Sequence, residues 1–137
     1  MAYDEDKIPE ILNNARNIAV VGISDKTDRD SYGVATYLKE HGYNIIPINP
    51  GLKEWKGIRS YPDLQAVPEN VEIDIVDIFR KSDAVVPIVN DALKRKPSAI
   101  WMQEGVVNNE AAKMARDAGI LVVMDHCIMK EHLKQKK

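Results

Sequence analysis

The stretch "VVGISDKTDRDSYG", Val20 to Gly33, decides how the chain is read. An apolar run ends in Gly22, a polar turn follows, and a helical pattern opens near Ser31. That order is strand, glycine turn, helix, and it places backbone N–H groups and a helix dipole where an anion can sit. A dinucleotide fingerprint would read G-x-G-x-x-G. Here Ser24 and Thr27 stand where the second and third glycines would be. Three readings stay open at this point: an altered nucleotide loop, a loop for another phosphate ligand, or a polar turn.

Outward from this stretch, short Val/Ile-rich runs alternate with helical patterns. The runs are Ala19 to Ile23, Asn44 to Ile48, Ile73 to Ile78, Ser98 to Gln103 and Ile120 to Met124. Several are nearly continuous rather than alternating, as in strands covered on both faces. Helices are predicted over Ile8 to Arg16, Ser31 to His41, Val86 to Arg95, Asn109 to Ala118 and Ile128 to Lys134. Pro87 suits a first turn, Asn108 or Asn109 a cap, and Gly42 and Gly119 the stops. Expected packing faces are Val34, Tyr37, Leu38 and His41 on one helix, and Ala111, Met114, Ala115 and Ala118 on another. Between the second and third strands, "NPGLKEWKGIRSYPDLQAVPEN" reads mainly as loop, with a short strand or a helical turn near Leu64. Trp55 and Tyr61 are expected to pack it against the body. The fold class is therefore α/β: a Rossmann-like three-layer domain over residues 1–137, with a five-stranded, mainly parallel sheet.

At 137 residues the chain fits one domain, and a net charge of −2 argues against a nucleic-acid partner. No apolar run approaches the roughly 20 residues of a membrane span. The start, "MAYDEDKIPE", lacks the basic and apolar parts of a signal peptide, so a cytoplasmic location is expected. The one cysteine, Cys127, has no internal disulfide partner and forms no zinc cluster. The basic end "KEHLKQKK" reads as a solvated or frayed terminus.

In an open parallel sheet, ligands bind beyond the carboxyl ends of the strands, at the switch in strand order. The first such loop offers Ser24 and Thr27 hydroxyls and the charges of Lys26 and Arg29. The second strand ends in Ile48-Asn49-Pro50, without the acidic residue that would hold a ribose in a dinucleotide site. Both this and the missing glycines count against NAD. Lys53 and Lys56 follow instead and can meet a phosphate. Phe79, Arg80 and Lys81 follow the third strand; Gln103, Gly105 and Asn108 follow the fourth. The convergence of basic and amide groups fits a phosphorylated, partly neutral ligand. The catalytic inventory is short. His41 and His132 read as structural and exposed, and His126 adjoins Cys127, but adjacent side chains usually diverge. No G-x-S-x-G elbow, Walker lysine or HExxH is present. Asp74 and Asp77 can be paired carboxylates or local backbone acceptors at a strand end.

With these loops in view, the sequence closely resembles the small stand-alone CoA-binding domain proteins, related to the CoA domain of the succinyl-CoA synthetase α subunit. The carriers, over nearly the whole chain, are "VVGISDKTDRDSYGVATYL", "HGYNIIPINP", "WKGIRSYPDL", "VDIFRKS", "IWMQEGVVNNEAAKMARDAG" and "VVMDHC". The implied ligand is coenzyme A. The resemblance implies that the Gly22 to Thr27 loop holds the pyrophosphate, chiefly through Ile23, Ser24, Asp25 and Lys26. It implies that Asn49, Pro50 and Lys53 lie near the adenosine and its phosphate, with Phe79 and Arg80 on the adenine side. Met102, Gln103, Glu104 and Gly105 match a stretch bordering the cofactor, and Cys127 matches a synthetase cysteine, within reach of a pantetheine sulfur. Many family members read Arg-Cys where this chain has His126-Cys127. The synthetase's phosphohistidine lies in a further domain with no counterpart here. The implied role is non-enzymatic: a sensor, carrier or delivery module for CoA or an acyl-CoA, with a protein partner or a second copy left open. The alternatives are an NAD(P)-responsive redox regulator, a detached module of an acyl-CoA synthetase, and an interaction scaffold.

Overall fold

A computed structural model describes residues 3–136. Met1, Ala2 and Lys137, the extreme ends of the expected domain and of its basic terminus, lie outside the described residues. Five strands form one sheet: β1 (Asn17–Val21), β2 (Asn44–Ile48), β5 (Ile75–Ile78), β6 (Ala99–Met102) and β7 (Leu121–Val123). Their order is β2-β1-β5-β6-β7 and every pairing is parallel, so the sheet is fully rather than mainly parallel. Two further strands, β3 (Glu54–Trp55) and β4 (Ile58–Arg59), make a small antiparallel hairpin in the segment expected to be loop. Its turn residues, Lys56 and Gly57, both have positive φ, the backbone that a tight two-residue hairpin requires.

The helices are α1 (Ile8–Asn14), α2 (Asp30–Glu40), α3 (Val85–Leu93), α4 (Asn109–Asp117) and α5 (Ile128–Gln135). Alternation along the strands divides the core into two layers. Ala19, Val21, Val76, Ile78, Ile100 and Met102 pack toward α3 and α4. Ile18, Val20, Ile75, Trp101 and Val123 pack toward α1, α2 and α5. The result is a three-layer Rossmann-like domain.

Two expected packing faces need correction at their ends. On α2, Val34 and Leu38 are buried with Ala35 and Ser31, but His41 is exposed. The helix stops at Glu40, and the His41 ring folds back to bond the Tyr37 carbonyl through Nδ1 at 2.7 Å. On α4, Ala112 joins Ala111 and Ala115, whereas Ala118 lies past the last helical residue and is exposed. Asn108 caps α4, its side chain accepting from the Ala111 amide at 2.9 Å. The basic terminus is helical through Gln135 rather than frayed.

Pro47 sits within β2, the border strand. Its carbonyl accepts from the Tyr61 amide at 3.0 Å, so its ring nitrogen also points away from β1 and no ladder bond is lost. On the other border, Asp4 lies along β7. Its amide donates to Val122 O at 2.9 Å and its carboxylate accepts from Val122 N at 2.8 Å.

Candidate functional site

β1 connects to β2 on one side, and the chain returns to β5 on the other, so the switch in strand order lies between β1 and β5. Gly22 leaves β1 there, and Phe79-Arg80 leaves β5. The two segments touch. A Cβ placed on Gly22 would lie 2.4 Å from the Phe79 carbonyl oxygen and 2.9 Å from Arg80 Cδ, and Gly22 has φ +86. Only glycine fits that crossing.

Two hollows open beside it and share Gly22, Phe79 and Arg80. The first, of about 620 Å³, lies between the β2 end and α3. Its walls are largely apolar, with Val21, Ile48, Pro50, Leu64 and Ile88, and its polar groups are Asn49, Asp63, Asp91 and Arg80. The second, of about 860 Å³, lies over α2 and α5. Ser24, Thr27 and Ser31 supply hydroxyls there, and Arg29, Arg80 and Lys81 supply charge. Asp28 and Asp30 add carboxylates to the same rim, and the deeper wall includes Val34, Gln103, Val106, Cys127 and Met129. Lys130 closes one side, paired with Glu104 at 3.0 Å. The ion pairs among the described residues include none of Arg29, Arg80 and Lys81, so these cations are available to an anion.

The loop after β1 is fixed by its neighbours. Asn49 Nδ2 donates to Ile23 O at 2.7 Å, and Trp55 Nε1 donates to Ser24 O at 2.9 Å. The Ser24 amide donates to Ser31 Oγ and the Lys26 amide to Ser24 Oγ, both at 3.0 Å. The Gly22 amide donates to Ile48 O at 3.0 Å. Three of the amides expected to face a phosphate are thus engaged within the protein. The free hydroxyl of Thr27 and the three cations are the better anion contacts.

Of the residues singled out from the sequence, Gly22, Ser24, Thr27, Arg29, Asn49, Pro50, Phe79, Arg80, Gln103, Glu104 and Cys127 line one hollow or both. Ile23 and Met102 are fully buried in the core. Asp25, Lys26, Lys53 and Gly105 line neither hollow. The Gly105 amide is held by Asp125 Oδ1 at 2.7 Å. Lys56 lies over the Tyr32 and Trp55 rings instead of a hollow. His126 lines neither hollow, and its Nδ1 bonds Met124 O at 2.8 Å.

Sequence reasoning missed the wall formed by Pro62, Asp63, Leu64 and Asp91, because nothing local brings the 61–71 segment back onto α3. It also missed Ser31, Met129 and Lys130. Ser31 was legible as a polar residue opening a helix beside the loop. Asp74 and Asp77 do not act together. Asp74 accepts the Arg16 and Asn17 amides, each at 2.9 Å, as a backbone acceptor at a strand end. Asp77 is fully buried in β5, with no hydrogen-bond partner on either carboxylate oxygen. Burial raises its pKa well above the usual carboxylate value. It sits level with Val20 and Trp101, one pleat below Phe79.

The arrangement can hold an elongated ligand: an apolar, hydrogen-bonding end in the first hollow, anionic groups at the shared crossing, and a less charged arm toward Cys127. Comparisons with known proteins give the chain's relatives. The profile of the family described as "CoA binding domain" matches residues 16–133. The uncharacterized protein YneT of Bacillus subtilis is 38% identical over 130 residues, which are 95% of each chain. A solved structure of a hypothetical protein from Pyrococcus horikoshii OT3 superposes with a TM-score of 0.91 at 37% identity, covering 96% of this chain and 92% of that one. An ADP-forming acetate–CoA ligase of Methanocaldococcus jannaschii is 23% identical over 133 residues, 89% of this chain but 18% of the ligase. No described helix is long and apolar enough to cross a membrane.

Proposed function

This chain belongs to the CoA binding domain family, and we propose that it binds coenzyme A or an acyl-CoA across both hollows, in the cytoplasm, as a non-catalytic sensor, carrier or delivery module. The observation that carries this reading is the meeting of the two hollows at Gly22, Phe79 and Arg80. Their chemistry differs as the two ends of CoA differ. The apolar first hollow suits the adenosine, with Asp63, Asp91 and Asn49 as partners for amine and hydroxyl donors. Arg80, Arg29 and Lys81 suit the pyrophosphate. The wall of Val106, Met129 and Cys127 suits the pantetheine arm. A non-catalytic role is supported by the lining itself. Cys127 is its nucleophile, and the histidine next to it in sequence is turned to a backbone carbonyl. The partial match to an acetate–CoA ligase supports delivery to a partner chain.

Titration calorimetry tests the reading. CoA should bind saturably, and Arg80→Ala should weaken it by about tenfold or more, the contribution of a charge-assisted contact. No heat with CoA, acetyl-CoA or dephospho-CoA would overturn it. One observation favours a second reading, an NAD(P)-responsive regulator: the carboxylates of Asp63 and Asp91 in the first hollow can hold ribose hydroxyls. NAD(P) binding tighter than CoA would establish that alternative.

If the pantetheine arm lies in the second hollow, CoA should shield Cys127. Alkylation by iodoacetamide, followed by intact mass, should slow by about tenfold with saturating CoA, since thiol reactivity follows access. An unchanged rate would place the arm elsewhere.

A further inference from the structure

One wall of the first hollow has little structure of its own. Residues 61–71 hold a single 3₁₀ turn, Leu64–Ala66, yet supply Pro62, Asp63 and Leu64 to the hollow. The segment is tied to α3 and the chain just beyond it by three side chains, those of Gln65, Asp91 and Arg95. Gln65 Nε2 donates to Asp91 O at 2.9 Å. Asp91 Oδ2 accepts the Leu64 amide at 3.2 Å. Arg95, just beyond α3, donates to four carbonyls. Nη1 reaches Leu64 O at 2.6 Å and Val67 O at 2.8 Å; Nη2 reaches Pro68 O at 3.0 Å and Val71 O at 3.1 Å. None of the ion pairs among the described residues includes Arg95, and its recorded side-chain partners are all carbonyls.

We infer that Arg95 is the positioning residue of the adenosine hollow: its guanidinium holds the 61–71 wall in the shape that receives the nucleoside, without touching the ligand. This rests on the reading of the site as a CoA site. A guanidinium is suited to the task because its donors are fixed in one plane and fan to several acceptors at once, whereas an ammonium offers a point charge. Arg95 lines neither hollow. Removing it leaves α5 and the second hollow as they are and frees only the wall beside the first.

The experiment combines CoA calorimetry with hydrogen exchange on wild type, Arg95→Ala and Arg95→Lys. In the wild type, CoA should slow exchange at 61–71 and at 127–131. In Arg95→Ala, affinity should fall by about tenfold, as when the support of a binding shell is lost. CoA should then no longer protect 61–71 but should still protect 127–131. Arg95→Lys should recover part of the affinity. If Arg95→Ala does not fold, Arg95→Lys carries the same test, with intermediate loss confined to 61–71. Unchanged affinity, or protection lost equally at both sites, would overturn the proposal. A wild type that binds no CoA would instead overturn the reading of the site, a distinguishable result.

Discussion

Gly22→Ala should destabilise the protein by about 3–5 kcal/mol, a loss at the upper end for single substitutions. Two effects add. A non-glycine residue at φ +86 is strained, by about 1 kcal/mol or somewhat more. The new methyl would also meet the Phe79 carbonyl oxygen at 2.4 Å. That carbonyl belongs to backbone rather than to a flexible side chain, and the chain carrying it is held beside β1 by the Phe79 amide, which donates to Val21 O at 2.9 Å. The clash must be relieved by separating the ends of β1 and β5, where the two hollows meet. Gly105→Ala is the internal control. Gly105 has the same φ, +86, but nothing lies within 4 Å of its Cβ position. Urea unfolding of both variants separates strain from close approach. Equal losses would show that the crossing at the switch point is not tight.

Asp77→Asn should remove a decline in stability that the wild type suffers as pH rises. The sign follows from burial. The native carboxyl is held neutral well above its ordinary value by desolvation, while the unfolded one ionises near 3.8. Below the unfolded value both states are protonated and Asp77 adds no pH dependence. Above it the unfolded chain releases a proton that the native state keeps, so the native state loses ground by about 1.4 kcal/mol per pH unit. The loss continues until the native carboxyl ionises as well. Asparagine has nearly the same shape and no proton to lose. Denaturant midpoints of wild type and variant should therefore be close near pH 4 and diverge toward neutral pH, with the variant the more stable. Parallel curves would mean that Asp77 has water or a partner. Taking the difference between the two proteins removes every titration that they share.

The sheet was legible because each strand announces itself as a Val/Ile run covered on both faces. The shifts at its edges have local causes. β1 begins two residues earlier than its apolar run, at Asn17, whose amide is anchored by Asp74 across the sheet. Ile23 reads as strand but lies beyond it, buried beneath the turn after Gly22. The loop after β1 was legible as a polar turn at the switch point, but which of its groups are free was not. Ser31 and Ser24 occupy the Ser24 and Lys26 amides through contacts that no spacing rule encodes. The first hollow was half legible: Asn49 and Pro50 follow a strand, as expected of site residues. Asp63 comes from the 61–71 segment, which meets Asp91 on α3 through a long-range contact with no periodic signal.

The bonds at the two borders of the sheet have a consequence for behaviour at high concentration. An open border strand presents unpaired backbone groups to which another chain can add. Here Asp4 occupies Val122 on one side, and Tyr61 occupies Pro47 and Asn49 on the other. Each molecule thereby occupies from within part of both borders, which shortens the stretch of free backbone on which two colliding copies could template one another.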